Sequence, residues 1–227
     1  MMLRNISRMM TSKSTKPFTV IIEGNIGSGK TTFLQHFEKY KDVCVLSEPV
    51  EMWRDCAGHN LLANLYENPV KWSFTFQSYV QLTMLQHHLV ATTKPIKLLE
   101  RSIFSARYCF IEKLLRDEIL LAPSVSVLNE WFKYLITKFN ISVDLIVYLR
   151  TSPEVVYERV LARNRKEEKS LSLQYLKDLH DMHEKWLFYK TAFSCPAHVL
   201  TLNADLDKST IEKEYQKCQD HLLTITG

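Results

Sequence analysis

No apolar run in this sequence approaches the ~18–20 residues that a membrane-spanning helix needs, so the body reads as soluble, with no membrane partner. The five cysteines, Cys44, Cys56, Cys109, Cys195 and Cys218, are scattered, odd in number and without CxxC spacing. That argues against a disulfide framework and a zinc ribbon, and points to a reducing, intracellular compartment. His180 and His183 stand three apart but lack a third ligand, so they read as surface or core histidines rather than a metal pair. After residue 17 there is no internal repeat, low-complexity tract or linker. No basic arm of the kind that grips nucleic acid is present either, and no nucleic-acid partner is expected. Acidic residues are also missing from the start of the chain, where the first is Glu23.

What is present suits one α/β domain. The 227 residues are 46% hydrophobic and 24% charged, which is ordinary globular composition and ample for one large core. The net charge of +4 is modest, and an enzyme with anionic substrates would carry a similar excess. Residues 1–17 stand apart from the domain expected over 18–227. They hold Arg4, Arg8, Lys13 and Lys16, several Ser/Thr and no acid. Read as a helix, Met2, Ile6 and Met9 share one face. Such a leader resembles a mitochondrial transit peptide, and the alternative is a flexible start bypassed by initiation at Met9 or Met10. Mitochondrial and cytoplasmic placements both stay open.

Strand and helix patterns alternate along the domain. Strands are expected at Phe18–Glu23, Val43–Ser47, Ile96–Glu100, Asp144–Leu149 and His198–Leu202. Helices are expected at Thr31–Tyr40, Pro69–Thr93, from after Glu100 through Arg116, from Pro123 to about Phe139, after Pro153, and from Leu173 to about Phe193. Alternation of this kind implies five parallel strands joined by helical crossovers in a doubly wound sheet.

The run Gly24-Asn25-Ile26-Gly27-Ser28-Gly29-Lys30-Thr31, followed by Thr32, fits GxxxxGK[ST] between an expected strand and an expected helix. The glycines let the backbone curl so that N–H groups converge on phosphate oxygens, and the helix N-terminus adds positive potential. Lys30 suits the outer phosphates of ATP, and the Thr31 hydroxyl suits Mg²⁺. This pattern specifies a nucleoside triphosphate but not the reaction.

Two further acids end strands on the same side of the sheet, where open α/β sheets bind ligands. Glu48 opens Glu48-Pro49-Val50-Glu51-Met52-Trp53, and Glu100 precedes Arg101-Ser102. Transfer of a phosphoryl group to a hydroxyl needs a proton acceptor, a metal-side carboxylate and a cation over the developing charge. Glu48, Glu100 and Arg101 suit those tasks, although singly each acid could merely cap a following helix. On the long helix, Phe76, Gln77, Val80 and Met84 fall within one arc of roughly 100°. A buried amide at Gln77 could pair with a nucleobase edge or simply sit in a helix–helix contact. Arg159, Arg163 and Arg165 form a basic turn that could reach a transferring phosphoryl group or remain a solvated charged loop.

Together these segments resemble the deoxynucleoside kinase family, on the branch of the insect multisubstrate enzymes and the mitochondrial thymidine kinases. The resemblance runs from about Phe18 to Glu214, on IEGNIGSGKTT, EPVEMW, FQSYVQLTMLQ, LLERSIFSARYCF, YLRTSPEVVYERV and the RNRKEE segment. It implies a P-loop kinase fold, a five-stranded parallel sheet flanked by helices with a short arginine-rich lid. It also implies transfer of the ATP γ-phosphate to the 5′-hydroxyl of a 2′-deoxynucleoside. Glu48 would be the general base with Arg101 beside it, and Glu100 would assist Mg²⁺ with Thr31. Gln77 would pair with the base, Phe76 and Phe110 would sandwich it, and Trp53 would line the pocket. Tyr66 and Glu168 would hold the sugar 3′-hydroxyl. Arg163 and Arg165 would belong to the lid, and Arg159 would stack near adenine. Relatives specialised for deoxycytidine and purines carry Arg and Asp facing the base, where this chain has Met84 and Ala106, with Val80 alongside. That implies thymidine and deoxycytidine as good substrates and purines as poorer ones. The family further implies a homodimer built from helices and inhibition by a deoxynucleoside triphosphate.

Two rival readings share this architecture. A nucleoside monophosphate kinase would need extra cations at the acceptor, where EPVEMW places a carboxylate. A non-catalytic accessory subunit of respiratory complex I could dispense with Lys30, Glu48 and Arg101, yet all three are present.

Overall fold

Every residue of β1 (Phe18–Glu23) is buried, as a strand covered on both faces requires. The structure, a computed structural model, describes residues 16–226, so the basic leader over residues 1–15 lies outside the described residues. Around β1 lie β2 (Val43–Leu46), β3 (Ile96–Glu100), β4 (Leu145–Arg150) and β5 (His198–Asn203). All pair in parallel, in the order β2-β3-β1-β4-β5. The register sets Ile22 beside Glu100 and Glu23 beside Tyr148, which brings the carboxyl ends of the central strands to one level.

Alternation along the strands divides the core in two. Val20 and Ile22 face α1 (Lys30–Phe37) and α10 (Lys208–Thr226), through Phe33, Phe37, Ile211 and Tyr215. Ile21, Leu99 and Ile146 face the larger helical layer. That layer holds α4 (Pro69–Leu89), α5 (Ile103–Ser105), α6 (Glu112–Arg116), α7 (Ala122–Lys138) and α9 (Leu173–His183). Two short helices, α2 (Val50–Arg54) and α3 (Leu61–Glu67), follow β2, and α8 (Pro153–Arg163) follows β4.

The expected five parallel strands are all present, and the helices differ mainly at their ends. α4 starts at Pro69, with Asn68 accepting from the Lys71 amide at 3.1 Å, as an N-cap should. It stops at Leu89, short of Thr93, because Lys97 of β3 donates its ammonium to the His88 and Val90 carbonyls at 2.8 and 3.2 Å. Those bonds satisfy the helix end from outside. The last helix before β5 ends as a π-helical turn, Glu184–Phe188, and Lys190 at φ 57° turns the chain away before Phe193. Helices α2, α3 and α10 add to the expected set.

Candidate active site

The loop from Gly24 to Gly29 closes against β4 and α8 so tightly that side chains are excluded at two points. A Cβ at Gly24, whose φ is 147°, would lie 2.7 Å from the Leu149 carbonyl. One at Gly27, at φ 80°, would lie 2.9 Å from the Val156 carbonyl. Asn25 is buried, donates to the Leu176 carbonyl at 2.8 Å and accepts from the Ile26 amide at 2.8 Å, so it braces the loop from behind. Lys30 begins α1 and curls back over the loop to the Asn25 and Gly24 carbonyls at 2.7 and 3.3 Å. Burial, then the like charge of Arg101, lowers its ammonium to about 7, with Glu100, Glu48 and Glu23 pulling the other way. An arriving polyanion would restore its charge.

Beside the loop, Thr31 donates to Glu100 Oε1 at 3.0 Å, and the Glu48 amide lies 3.4 Å from Glu100 Oε2. A hydroxyl and a carboxylate are the hard oxygen donors that Mg²⁺ takes, commonly with only one or two carboxylates and the rest from phosphate and water. The pair at Thr31 and Glu100 therefore fits that ion. Among the described residues no cluster of three or more His, Cys, Asp or Glu side chains forms a self-sufficient metal cage.

Arg101 adopts φ 63°, a left-handed conformation unusual for a residue with a side chain. The turn sends its guanidinium back under the P-loop, where Nη1 donates to the Gly24 carbonyl at 3.1 Å. Its Nε forms an ion pair with Glu48 Oε1 at 2.9 Å, and its Cζ lies 4.7 Å from the centre of the Phe110 ring.

A cavity of about 750 Å³ runs from the P-loop into the helical layer. Trp53, Phe76, Val80, Met84, Ala106 and Phe110 supply its apolar wall. Trp53 meets Phe76 edge-on at 5.6 Å, and its indole N–H donates to Thr83 at 2.9 Å, which fixes the ring. Ala106 and Phe110 belong to a π-helical turn, Ala106–Ile111, between α5 and α6, a widening that often marks functional sites. Gln77 is buried in this wall and its Oε1 has no hydrogen-bond partner. An orphan amide oxygen is costly in a dry contact but useful against a polar ligand edge. Gln77 also lines the cavity, the position that a ligand-facing amide requires. Tyr66 lines the same space, and burial pushes its phenol well above the ordinary range, so it is a neutral donor.

The arginine-rich turn also lines the cavity. Arg163 ends α8, Arg165 follows, and a 3₁₀ turn spans Lys166–Ser170. Both arginines pair with Glu168, Arg165 at 3.3 Å. Arg159 donates to the Ala204 carbonyl at 2.9 Å and lines the cavity together with Leu206 and Tyr215.

All the sequence-predicted site residues line this one cavity except Gly24 and Asn25, which stand behind the loop. The sequence reading missed Arg54, which crosses from α2 to Glu167 at 2.8 Å, and Leu62, Leu65 and Tyr175. The first three sit on α2 and α3, helices too short to show a periodic signal. His183 is a core histidine, as expected, with Nδ1 2.7 Å from the Leu179 carbonyl.

Known proteins carry the same pattern. The deoxynucleoside kinase family model matches residues 20–224. Thymidine kinase 2, mitochondrial, of Homo sapiens is 44% identical over 209 residues, covering 92% of this chain and 79% of the relative. Deoxycytidine kinase 2 of Gallus gallus is 33% identical over 86% of both chains. Deoxycytidine kinase of Homo sapiens is 32% identical over 95% of both.

Proposed function

The chain belongs to the deoxynucleoside kinase family and is an ATP-dependent phosphotransferase; we propose that its preferred acceptors are thymidine and deoxycytidine, with purine deoxynucleosides accepted less well. The observation that carries the reading is Gln77, which lines the cavity among the apolar side chains of Phe76, Val80, Met84 and Ala106 and whose buried amide oxygen has no hydrogen-bond partner. An amide offers a donor and an acceptor together, which matches the ring edge of either pyrimidine. Met84, Val80 and Ala106 add no charge to that wall, so nothing there demands one particular exocyclic group.

Each remaining residue then has a task. Glu48 accepts the 5′-hydroxyl proton as the oxygen attacks, and Arg101 keeps that carboxylate aimed and neutralises charge on the transferring group. Lys30 and the loop amides hold the outer phosphates of ATP. Thr31 and Glu100 hold Mg²⁺, which supplies electrostatic stabilisation of phosphate charge when bound. Tyr66 and Glu168 hold the sugar 3′-hydroxyl. Because Glu168 also pairs with Arg163 and Arg165, sugar binding would free those two arginines to close over the phosphates as a lid, with Arg159 beside the adenine.

The carboxylate at Glu48 also counts against a monophosphate acceptor, which would meet like charge. Incubating the protein with ATP and each of the four deoxynucleosides tests the ranking. Thymidine and deoxycytidine should give the highest kcat/KM. Equal turnover of all four would remove the preference, and activity confined to purines would overturn the pocket assignment.

Two properties follow from the same reading. A homodimer is supported by exposed apolar stripes on neighbouring helices, Val127, Trp131 and Tyr134 on α7 and Val70, Phe74 and Leu82 on α4. No described helix is long and apolar enough to cross a membrane. The compartment, mitochondrial or cytoplasmic, depends on the leader, and comparing the full chain with one starting at Met10 decides it.

A further inference from the structure

Glu23 ends β1 wholly buried, and none of the steps above uses it. A carboxylate in such a place is costly unless it is paired and hydrogen-bonded. Its Oε1 accepts the Ser102 hydroxyl proton, while its Oε2 has no hydrogen-bond partner. Three bonds tie the Arg101–Ser102 turn to the end of β1. The Arg101 amide donates to the Ile22 carbonyl at 2.9 Å, Ser102 donates to Glu23, and the Arg101 guanidinium donates to the Gly24 carbonyl at 3.1 Å. Two of those acceptors are main-chain carbonyls that any sequence supplies. The third is the Glu23 carboxylate.

Ser102 is well placed to transmit that hold. Its oxygen accepts from the Ser105 amide at 3.2 Å, which caps α5, and its single proton goes to Glu23. The residue just before it is Arg101, in the strained left-handed conformation that aims the guanidinium at Glu48. The Gly24 carbonyl meanwhile receives both Lys30 and Arg101, so two cations crowd one acceptor beside Glu23.

We propose that Glu23 is a positioning residue for phosphoryl transfer: its carboxylate locks Ser102, thereby holds Arg101 against Glu48, and is the buried counter-charge to Arg101 and Lys30. The inference rests on the kinase reading above. The groups facing Glu23 are Lys30 from α1, Arg101 with Ser102 from the turn after β3, Ser105 from α5, and the Cys109 thiol from the π-helical turn. Burial raises the carboxyl to about 7, against the pull of Arg101, Ser102, Ser105 and Lys30. The ionised, holding form is therefore present above that pH and is lost below it.

Steady-state kinetics of wild type, Glu23→Gln, Glu23→Asp and Ser102→Ala across the neutral range test the proposal. Glu23→Gln should lower kcat by roughly 10–100-fold, the scale of a misplaced catalytic group, with both KM values within about threefold. The wild-type decline in kcat on the acid side of about pH 7 should disappear in Glu23→Gln and persist in Glu23→Asp. Ser102→Ala removes the bond through which the carboxylate holds the turn, so kcat should fall toward that of Glu23→Gln and the acid-side decline should flatten. Wild-type kcat and pH profile in Glu23→Gln would overturn the proposal. Should Glu23→Gln not fold, Ser102→Ala decides: a lowered kcat with a flattened profile supports the proposal, and wild-type kcat with the wild-type profile overturns it. A wild type that phosphorylates no deoxynucleoside would instead defeat the kinase reading, and the inference with it.

Discussion

Arg101 Nε lies 2.9 Å from Glu48 Oε1, so the acid expected to take a proton and the cation expected to cover the developing charge are already paired. They come from the ends of different strands, β2 and β3, and meet because the two strands are neighbours in register. Replacing Glu48 by Gln keeps the shape of the pair and removes the base. The expected result is a kcat lower by about 10²–10⁴ with nucleoside KM nearly unchanged, since general-base catalysis contributes on that scale. Steady-state assays with saturating ATP measure it. Unchanged kcat would remove Glu48 from the chemistry.

Gln77→Leu should act on binding rather than on chemistry. The base edge would lose both amide partners at a buried site, so kcat/KM for thymidine and deoxycytidine should each fall by roughly 10–100-fold. The KM for ATP should stay put. Loss of folding without loss of nucleoside selectivity would return Gln77 to a packing role.

The exposed stripes on α4 and α7 give a prediction about assembly. Trp131 is 57% exposed and Val127 47% exposed, four apart on one helix face. A Trp131→Glu change would bury a charge if that face is the dimer interface. Sedimentation should show a dimer for wild type and a monomer for the variant. Identical sedimentation of the two would move the interface elsewhere.

Stability has its own pH dependence at Glu23. Its folded pKa is raised to about 7 from 4.5 by burial, so its protonation stabilises the fold fully below about 4.5, and that stability is lost as pH rises through about 7. Gln cannot ionise. The Glu23→Gln variant should therefore gain on wild type by on the order of 3 kcal/mol between pH 4.5 and 7, then hold that margin above 7. Melting curves against pH check the sign. A wild type that gains on Glu23→Gln as pH rises would contradict the buried charge.

The ends of β1 and β3 were legible in the sequence because both strands are short, buried, mostly apolar runs that end on a glutamate. Lys30, Thr31, Glu48, Glu100 and Arg101 followed, since a P-loop and strand-end acids must lie at one edge of a parallel sheet. Other features were hidden for physical reasons. The left-handed turn at Arg101 carries no glycine to announce it. Glu23 reads as the polar end of a strand, and only the packing around it reveals an acid with no access to water. Arg54 and Glu167 are 113 residues apart, and local pattern cannot show that they meet. The task of Gln77 was not legible in the stripe, because the same stripe could pack on a helix or face a ligand.

The most direct test follows the γ-phosphoryl group itself. ATP labelled at its γ-phosphate is incubated with the protein and thymidine, and the product is analysed for the labelled position, with Lys30→Ala as control. The account predicts label on the 5′-oxygen of thymidine monophosphate, and little or none with Lys30→Ala. Label appearing only in inorganic phosphate, or only when thymidine monophosphate replaces thymidine as acceptor, would contradict it.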